Sequence, residues 1–161
     1  MSPAEYLSSI ESIFRTGRAS EHSYRSAFAA LVESRSKEEI TALNDPKREK
    51  CGAPDYAVFR TRGGLTIGWI ETKDLGMNLD EVEKSEQLKR YFEHLPNLIL
   101  TDYLEIRWYV VNTASIKKEK VILGGLSVKK LYRARMNKTL RSMRSTIFSD
   151  KNRLHSIQRA I

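Results

Sequence analysis

GAPDYAVFRTRGGLTIGWIETK, residues 52–73, is the stretch whose reading decides the fold. It reads as two apolar strands around a Gly-Gly turn. Tyr56, Ala57, Val58 and Phe59 form the first apolar run, and residues 65–70 form the return strand. Between them Thr61-Arg62-Gly63-Gly64 makes the turn, its glycines supplying any positive φ. Pro54 fits the first position of a strand, where its missing N–H does least harm. Apolar residues on both parities predict a central strand covered on both faces. Yet three charges, Asp55, Glu71 and Lys73, lie at the strand ends. Glu71 and Lys73 are two residues apart, so both side chains leave the same face. In an antiparallel hairpin the start of one strand lies beside the end of the next. All three charges are therefore expected to converge at one end of the sheet, opposite the turn.

Two carboxylates close together repel each other unless a cation lies between them. A hard divalent cation suits oxygen ligands, and Mg²⁺ binds through one or two carboxylates plus phosphate oxygens. Lys73 beside such an ion could position or deprotonate a water. Asp55, Glu71 and Lys73 thus match metal-assisted phosphodiester hydrolysis. The alternative is a solvated Glu71–Lys73 pair at a strand end with Asp55 as a turn residue.

Outward from the hairpin, residues 4–15 carry Tyr6, Leu7, Ile10, Ile13 and Phe14 at helical spacing, and Gly17 stops that helix. Ser20 is a candidate N-cap for a second helix through Arg35. Its apolar stripe is Tyr24, Ala27, Phe28 and Leu31, and Glu21 stands three residues before that stripe. A short strand is predicted over 40–43. After Gly76, residues 78–95 read as one helix, with acids in its first turns and bases after them. Strands over 97–100 and 104–111 follow. The order is an α/β sandwich around a mixed sheet flanked by helices. Beyond Asn112, a strand over 121–126 and helices over 131–147 and 152–161 are indicated more weakly.

The chain has 161 residues and a net charge of +8, unevenly placed. Residues 1–116 hold 15 Lys/Arg against 18 Asp/Glu, a net of −3, whereas residues 117–161 hold 13 Lys/Arg against two acids, a net of +11. We read 1–116 as the core and 117–161 as a basic, helical C-terminal extension of the same domain. A segment of that charge favours a polyanion such as nucleic acid; the alternative is a solvated face. Its phosphate contacts are expected chiefly from Lys129, Lys130, Arg133, Arg135, Arg141 and Arg144. Lys47, Arg48 and Lys50, just before the hairpin, are either further phosphate grips or a solvated loop. No apolar run approaches a membrane span, and the first residues carry acids where a signal peptide has bases. With a single cysteine, Cys51, and three scattered histidines, a cytoplasmic protein without disulfide or structural zinc is expected.

Pro54-Asp55 followed by Glu71-Thr72-Lys73 resembles the PD-(D/E)xK nuclease signature. Gln87-Leu88-Lys89-Arg90-Tyr91 is similar to the QxxxY motif of one branch of these nucleases, and Glu21 sits where that branch places another acid. From Glu21 to Val110 the chain resembles the N-terminal nuclease domain of restriction enzymes that fuse nuclease and adenine methyltransferase. The words EHSYRSAF, CGAPDYAV, IGWIETK, EQLKRY and PNLILTDYLEIRWYV carry that likeness. The resemblance implies a restriction-endonuclease-like sandwich and a Mg²⁺-dependent DNA endonuclease of restriction–modification type, with Mn²⁺ as a substitute. It implies that Asp55 and Glu71 hold the metal, with the Thr72 carbonyl as a further ligand and Glu21 as an additional ligand or water-positioning acid. Lys73 would orient or activate the attacking water. Gln87 and Tyr91, on one helical face, would contact the substrate backbone or brace the site. Read without the resemblance, Glu21 could cap its helix, Gln87 could be a surface residue and Tyr91 a core residue.

The fused enzymes continue into a methyltransferase with an Asn/Asp-Pro-Pro-aromatic motif, which does not occur in this sequence. The expectation is a free-standing nuclease domain, a remnant or a piece of a longer protein. Its expected partners are DNA and either a methyltransferase or specificity module or a second copy. Two other functions fit the same residues. One is a non-catalytic nucleic-acid-binding module that keeps the fold; the other is a repair or recombination nuclease acting on DNA ends or junctions.

Overall fold

The computed structural model describes residues 1–36, 39–111 and 115–123. Helix α1 (Pro3–Arg15) opens with a reciprocal cap. The Glu5 N–H donates to Ser2 Oγ at 3.2 Å and the Ser2 N–H to Glu5 Oε2 at 2.7 Å, with Pro3 at the first turn. The second helix differs from expectation. It begins as a 3₁₀ turn (Glu21–Tyr24) and becomes α-helical only in α2 (Arg25–Arg35). Such tight turns are common at helix N-termini, and this one carries Glu21 ahead of the helix proper.

Six strands follow in sequence order across one mixed sheet: β1 (Ile40–Asn44), β2 (Tyr56–Arg60), β3 (Thr66–Thr72), β4 (Asn97–Thr101), β5 (Glu105–Val111) and β6 (Ile116–Ile122). All neighbours are antiparallel except β3 and β4. A parallel pair needs a crossover, and here it is supplied by α3 (Leu79–Val82) and α4 (Glu86–His94). The single helix expected over 78–95 is thus two. Ser85 divides them by capping α4, its Oγ accepting from the Leu88 N–H at 3.3 Å.

The sheet is covered on both faces, as the apolar parity of the hairpin indicated. Tyr6, Ile10, Phe28 and Leu31 pack on Tyr56, Val58, Ile70 and Ile99 on one face. On the other, Leu79, Leu88, Tyr91 and Leu95 pack on Leu98, Leu100 and Tyr109. Successive residues of β4 alternate between the two clusters, as a pleated strand must.

Strand β6 lies earlier than the strand expected over 121–126, so the boundary placed at residue 117 falls inside the sheet. Val121 and Leu123 are buried in the α1/α2 face, and β6 pairs with β5 along its whole length. Of the basic extension, residues 124–161 lie outside the described residues, and with them the helices expected over 131–147 and 152–161 and the phosphate-binding bases named above. Among the described residues no helix is long and apolar enough to cross a membrane.

Candidate active site

The pairing of β2 with β3 sets Tyr56 opposite Ile70. Asp55 and Glu71 flank that pair at the end of the hairpin away from the Gly63-Gly64 turn, but their side chains take different partners, Asp55 on Thr72 and Glu71 on Lys73 and Gln87. Asp55 Oδ2 accepts from both the backbone N–H and the hydroxyl of Thr72, each at 2.7 Å. Those two bonds fix its carboxylate against β3. The Thr72 hydroxyl also lies 3.0 Å from Glu21 Oε1, which brings the 3₁₀ turn to the same place.

Glu71 sits on the neighbouring face, towards α4. Its side chain is 4% exposed, and Oε1 accepts from Lys73 Nζ at 2.5 Å and from Gln87 Nε2 at 2.9 Å. Gln87 Nε2 is in turn 3.1 Å from the Tyr91 hydroxyl. Gly52 makes room for this chain of contacts. A Cβ there would lie 3.0 Å from Tyr91 Cε1, on a backbone whose φ of +143° side chains rarely adopt. The β1–β2 loop is thereby seated on α4, with Lys47, Arg48 and Lys50 exposed beside the site.

All seven residues singled out in the sequence, Glu21, Asp55, Glu71, Thr72, Lys73, Gln87 and Tyr91, thus form a constellation whose two hydrogen-bonded groups are joined through the consecutive residues Glu71 and Thr72. It has two halves: Glu21, Asp55 and Thr72 towards α2, and Glu71, Lys73, Gln87 and Tyr91 towards α4. Glu21 is an ion-pairing site residue, and Gln87 a half-buried partner of Glu71. Tyr91 belongs both to the core and to the site.

One residue of the constellation escaped the sequence reading. Arg25, the first residue of α2, is 6% exposed. Its Nη2 pairs with Asp55 Oδ1 and lies 3.1 Å from Glu21 Oε1, while Nη1 donates to Asn44 Oδ1 at 3.1 Å. The available signal was the four-residue spacing of Glu21 and Arg25, which places them one turn apart.

The electrostatics of the two halves are coupled. Burial pushes the Glu71 carboxyl above its ordinary value; the Lys73 ammonium opposes this, and the Asp55 and Glu21 charges add to the rise. Burial, reinforced by Glu71, moves the Tyr91 hydroxyl up to about 12. A raised carboxyl holds its proton more tightly in the folded than in the unfolded chain. Its contribution to stability is complete below the ordinary carboxylate range and is lost as pH rises through the folded value. Glu71→Gln is therefore expected to raise the Tm of the metal-free chain at pH values above the ordinary carboxylate range. The gain should vanish at low pH, where Glu71 is itself protonated. Thermal melts of both chains in EDTA across the acid range check this.

Among the described residues no three His, Cys, Asp or Glu side chains group into a ready metal cage. Arg25 stands on Asp55 and Glu21, and Lys73 on Glu71, so the acids are already paired with protein cations. Among the described residues Glu71 Oε2 is buried with no hydrogen-bond partner. An unpartnered buried carboxylate oxygen is costly, and it fits a hard cation beside Asp55 in donor type and charge. No family model, curated protein or solved structure matches the chain. The functional reading therefore rests on these residues and their geometry.

Proposed function

We propose that the chain is a Mg²⁺-dependent DNA endonuclease of PD-(D/E)xK type, built on a restriction-endonuclease-like sandwich and belonging to a restriction–modification system. The observation that carries this reading is the buried, unpartnered Glu71 Oε2, on a carboxylate whose other oxygen accepts from Lys73 and which stands next in the chain to the Thr72 that holds Asp55. Asp55, Glu71 and the Thr72 carbonyl would hold the Mg²⁺, with Glu21 as the auxiliary acid. The ion, when bound, supplies charge neutralisation at the phosphodiester and lowers the pKa of a bound water.

The protein groups do the rest. Lys73 has three donors and spends one on Glu71. Its side chain is 20% exposed, so the other two donors can orient the attacking water and a phosphate oxygen. Gln87 donates to Glu71 Oε1 and so would leave Oε2 free for the cation, with the Tyr91 hydroxyl behind it. Thr72 fixes Asp55 in the same way. Phosphate contacts from Lys47, Arg48 and Lys50 and from the basic extension hold the duplex against an otherwise acidic site, since acids alone repel DNA. These contacts position the duplex and carry no base information. Sequence recognition therefore belongs to a methyltransferase or specificity module. A cut in both strands calls for two copies of the site.

The test is incubation of supercoiled plasmid with the full chain in Mg²⁺, in Mn²⁺ and in EDTA. The expected result is nicked circles, then linear DNA, with either metal and none in EDTA. Intact supercoils in both metals, with DNA binding retained, would contradict the reading and leave a non-catalytic binding module. Cleavage confined to linear ends or branched DNA would make it a repair nuclease instead.

A further inference from the structure

We infer that Arg25 is the resident counter-ion of the carboxylate constellation, a positioning residue whose charge sets how tightly the site takes up a divalent cation. The inference rests on the reading of Asp55 and Glu71 as metal ligands. Three observations lead to it. First, the guanidinium bridges Asp55 and Glu21, two acids 34 residues apart in sequence, from a side chain only 7% exposed. It occupies the place beside Asp55 where a cation is required. Second, Arg25 is not the sole hold on Asp55. The Thr72 N–H and hydroxyl already hold Asp55 Oδ2, so what Arg25 adds at Asp55 Oδ1 is chiefly charge. Third, Arg25 has anchors besides Asp55 and Glu21. Its carbonyl accepts from the Tyr56 hydroxyl at 2.8 Å, and Nη1 donates to Asn44 Oδ1 and lies 3.8 Å from the exposed Asp45 carboxylate. Its Nε is buried without a partner, so the side chain is placed by these neighbours and not by a full set of hydrogen bonds of its own.

A fixed positive charge beside a metal-binding carboxylate competes with the metal. It also stabilises the metal-free fold, in which Asp55, Glu21 and Glu71 would otherwise repel one another. Both effects disappear together when the charge is removed.

The experiment is calorimetric titration of Mn²⁺ into the full wild-type chain, Arg25→Met and Arg25→Lys, with melts of each in EDTA. Arg25→Met keeps the bulk and removes the charge. It is expected to bind Mn²⁺ at least about tenfold more tightly than wild type, as removal of one charge at short range gives at an effective dielectric constant near 20. In EDTA it is expected to melt lower. Arg25→Lys retains the charge without the fork and should bind like wild type. An Arg25→Met chain that is unfolded in EDTA and folds on addition of Mn²⁺ also supports the inference, because the metal then replaces the guanidinium. Equal or weaker Mn²⁺ binding by a folded Arg25→Met chain, or a chain that stays unfolded in both conditions, overturns it. If no chain binds Mn²⁺, the metal-site reading itself is overturned, a result distinguishable from failure of the Arg25 inference alone.

Discussion

Lys73→Ala is expected to slow nicking of supercoiled DNA by about 10²–10⁴-fold, the contribution of a positioned proton-transfer group. Metal and DNA binding should survive. The Lys73 side chain reaches solvent while hydrogen-bonded to Glu71 at 2.5 Å, and its backbone N–H is paired with the Thr101 carbonyl at 2.8 Å. The fold at the end of β3 therefore does not depend on the ammonium. Removing that positive charge leaves Glu71 freer for a cation, so Mn²⁺ binding should hold or tighten. Cleavage at the wild-type rate would show that Lys73 merely neutralises Glu71. Parallel loss of metal binding would show that it maintains the site's structure.

Arg107→Ala is expected to destabilise the fold by about 3 kcal/mol, the low end of what loss of one partner of a buried ion pair costs. Arg107 is the largest fully buried side chain among the described residues. From β5 its guanidinium reaches Asp80 at 2.7 Å and Glu83 at 2.6 Å, and its Nε reaches Glu105 at 2.5 Å. Asp80 and Glu83 belong to the crossover between β3 and β4, so Arg107 ties that crossover to the sheet. The loss sits at the low end because Glu83 keeps Lys118, Glu105 keeps Lys120, and Asp80 is largely exposed. Thermal melts should show a fall of about 10 °C. A Tm equal to that of wild type would mean that the clamp is dispensable. The same loosening should weaken cleavage through Gln87, which α4 carries at the end of this crossover.

The hairpin was the legible part of this sequence because its information is local. Two apolar runs, a Gly-Gly turn and charges at the ends specify register, and register puts Asp55 and the Glu71–Lys73 segment at the same end of the hairpin. Gln87 and Tyr91 were singled out through the resemblance to the QxxxY motif, and one helical turn puts them on one face. Arg25 was not. Its meaning comes from Asp55, 30 residues away, and only the packing of α2 on β2 reveals it. The division of α3 from α4 hid behind continuous helical propensity, although Ser85 followed by an acid is an N-terminal signal. Strand β6 was misplaced because its lysines mask the pattern. Among the described residues Lys117, Lys118 and Lys120 lie on the edge strand of the sheet, where exposed charge discourages further pairing. Beyond Leu123, the role of the basic extension is read from its charge.

Whether Asp55 and Glu71 jointly hold a divalent cation is the central question, and calorimetric titration of Mn²⁺ into the wild-type and Asp55→Asn chains tests it most directly. Asn keeps the shape that Thr72 grips and removes the charge. Saturable binding by the wild type is expected, with a Tm that rises with metal concentration by mass action, and loss of both in a folded Asp55→Asn chain. Equal binding by the two chains, or no binding by the wild type, would contradict joint coordination by Asp55 and Glu71.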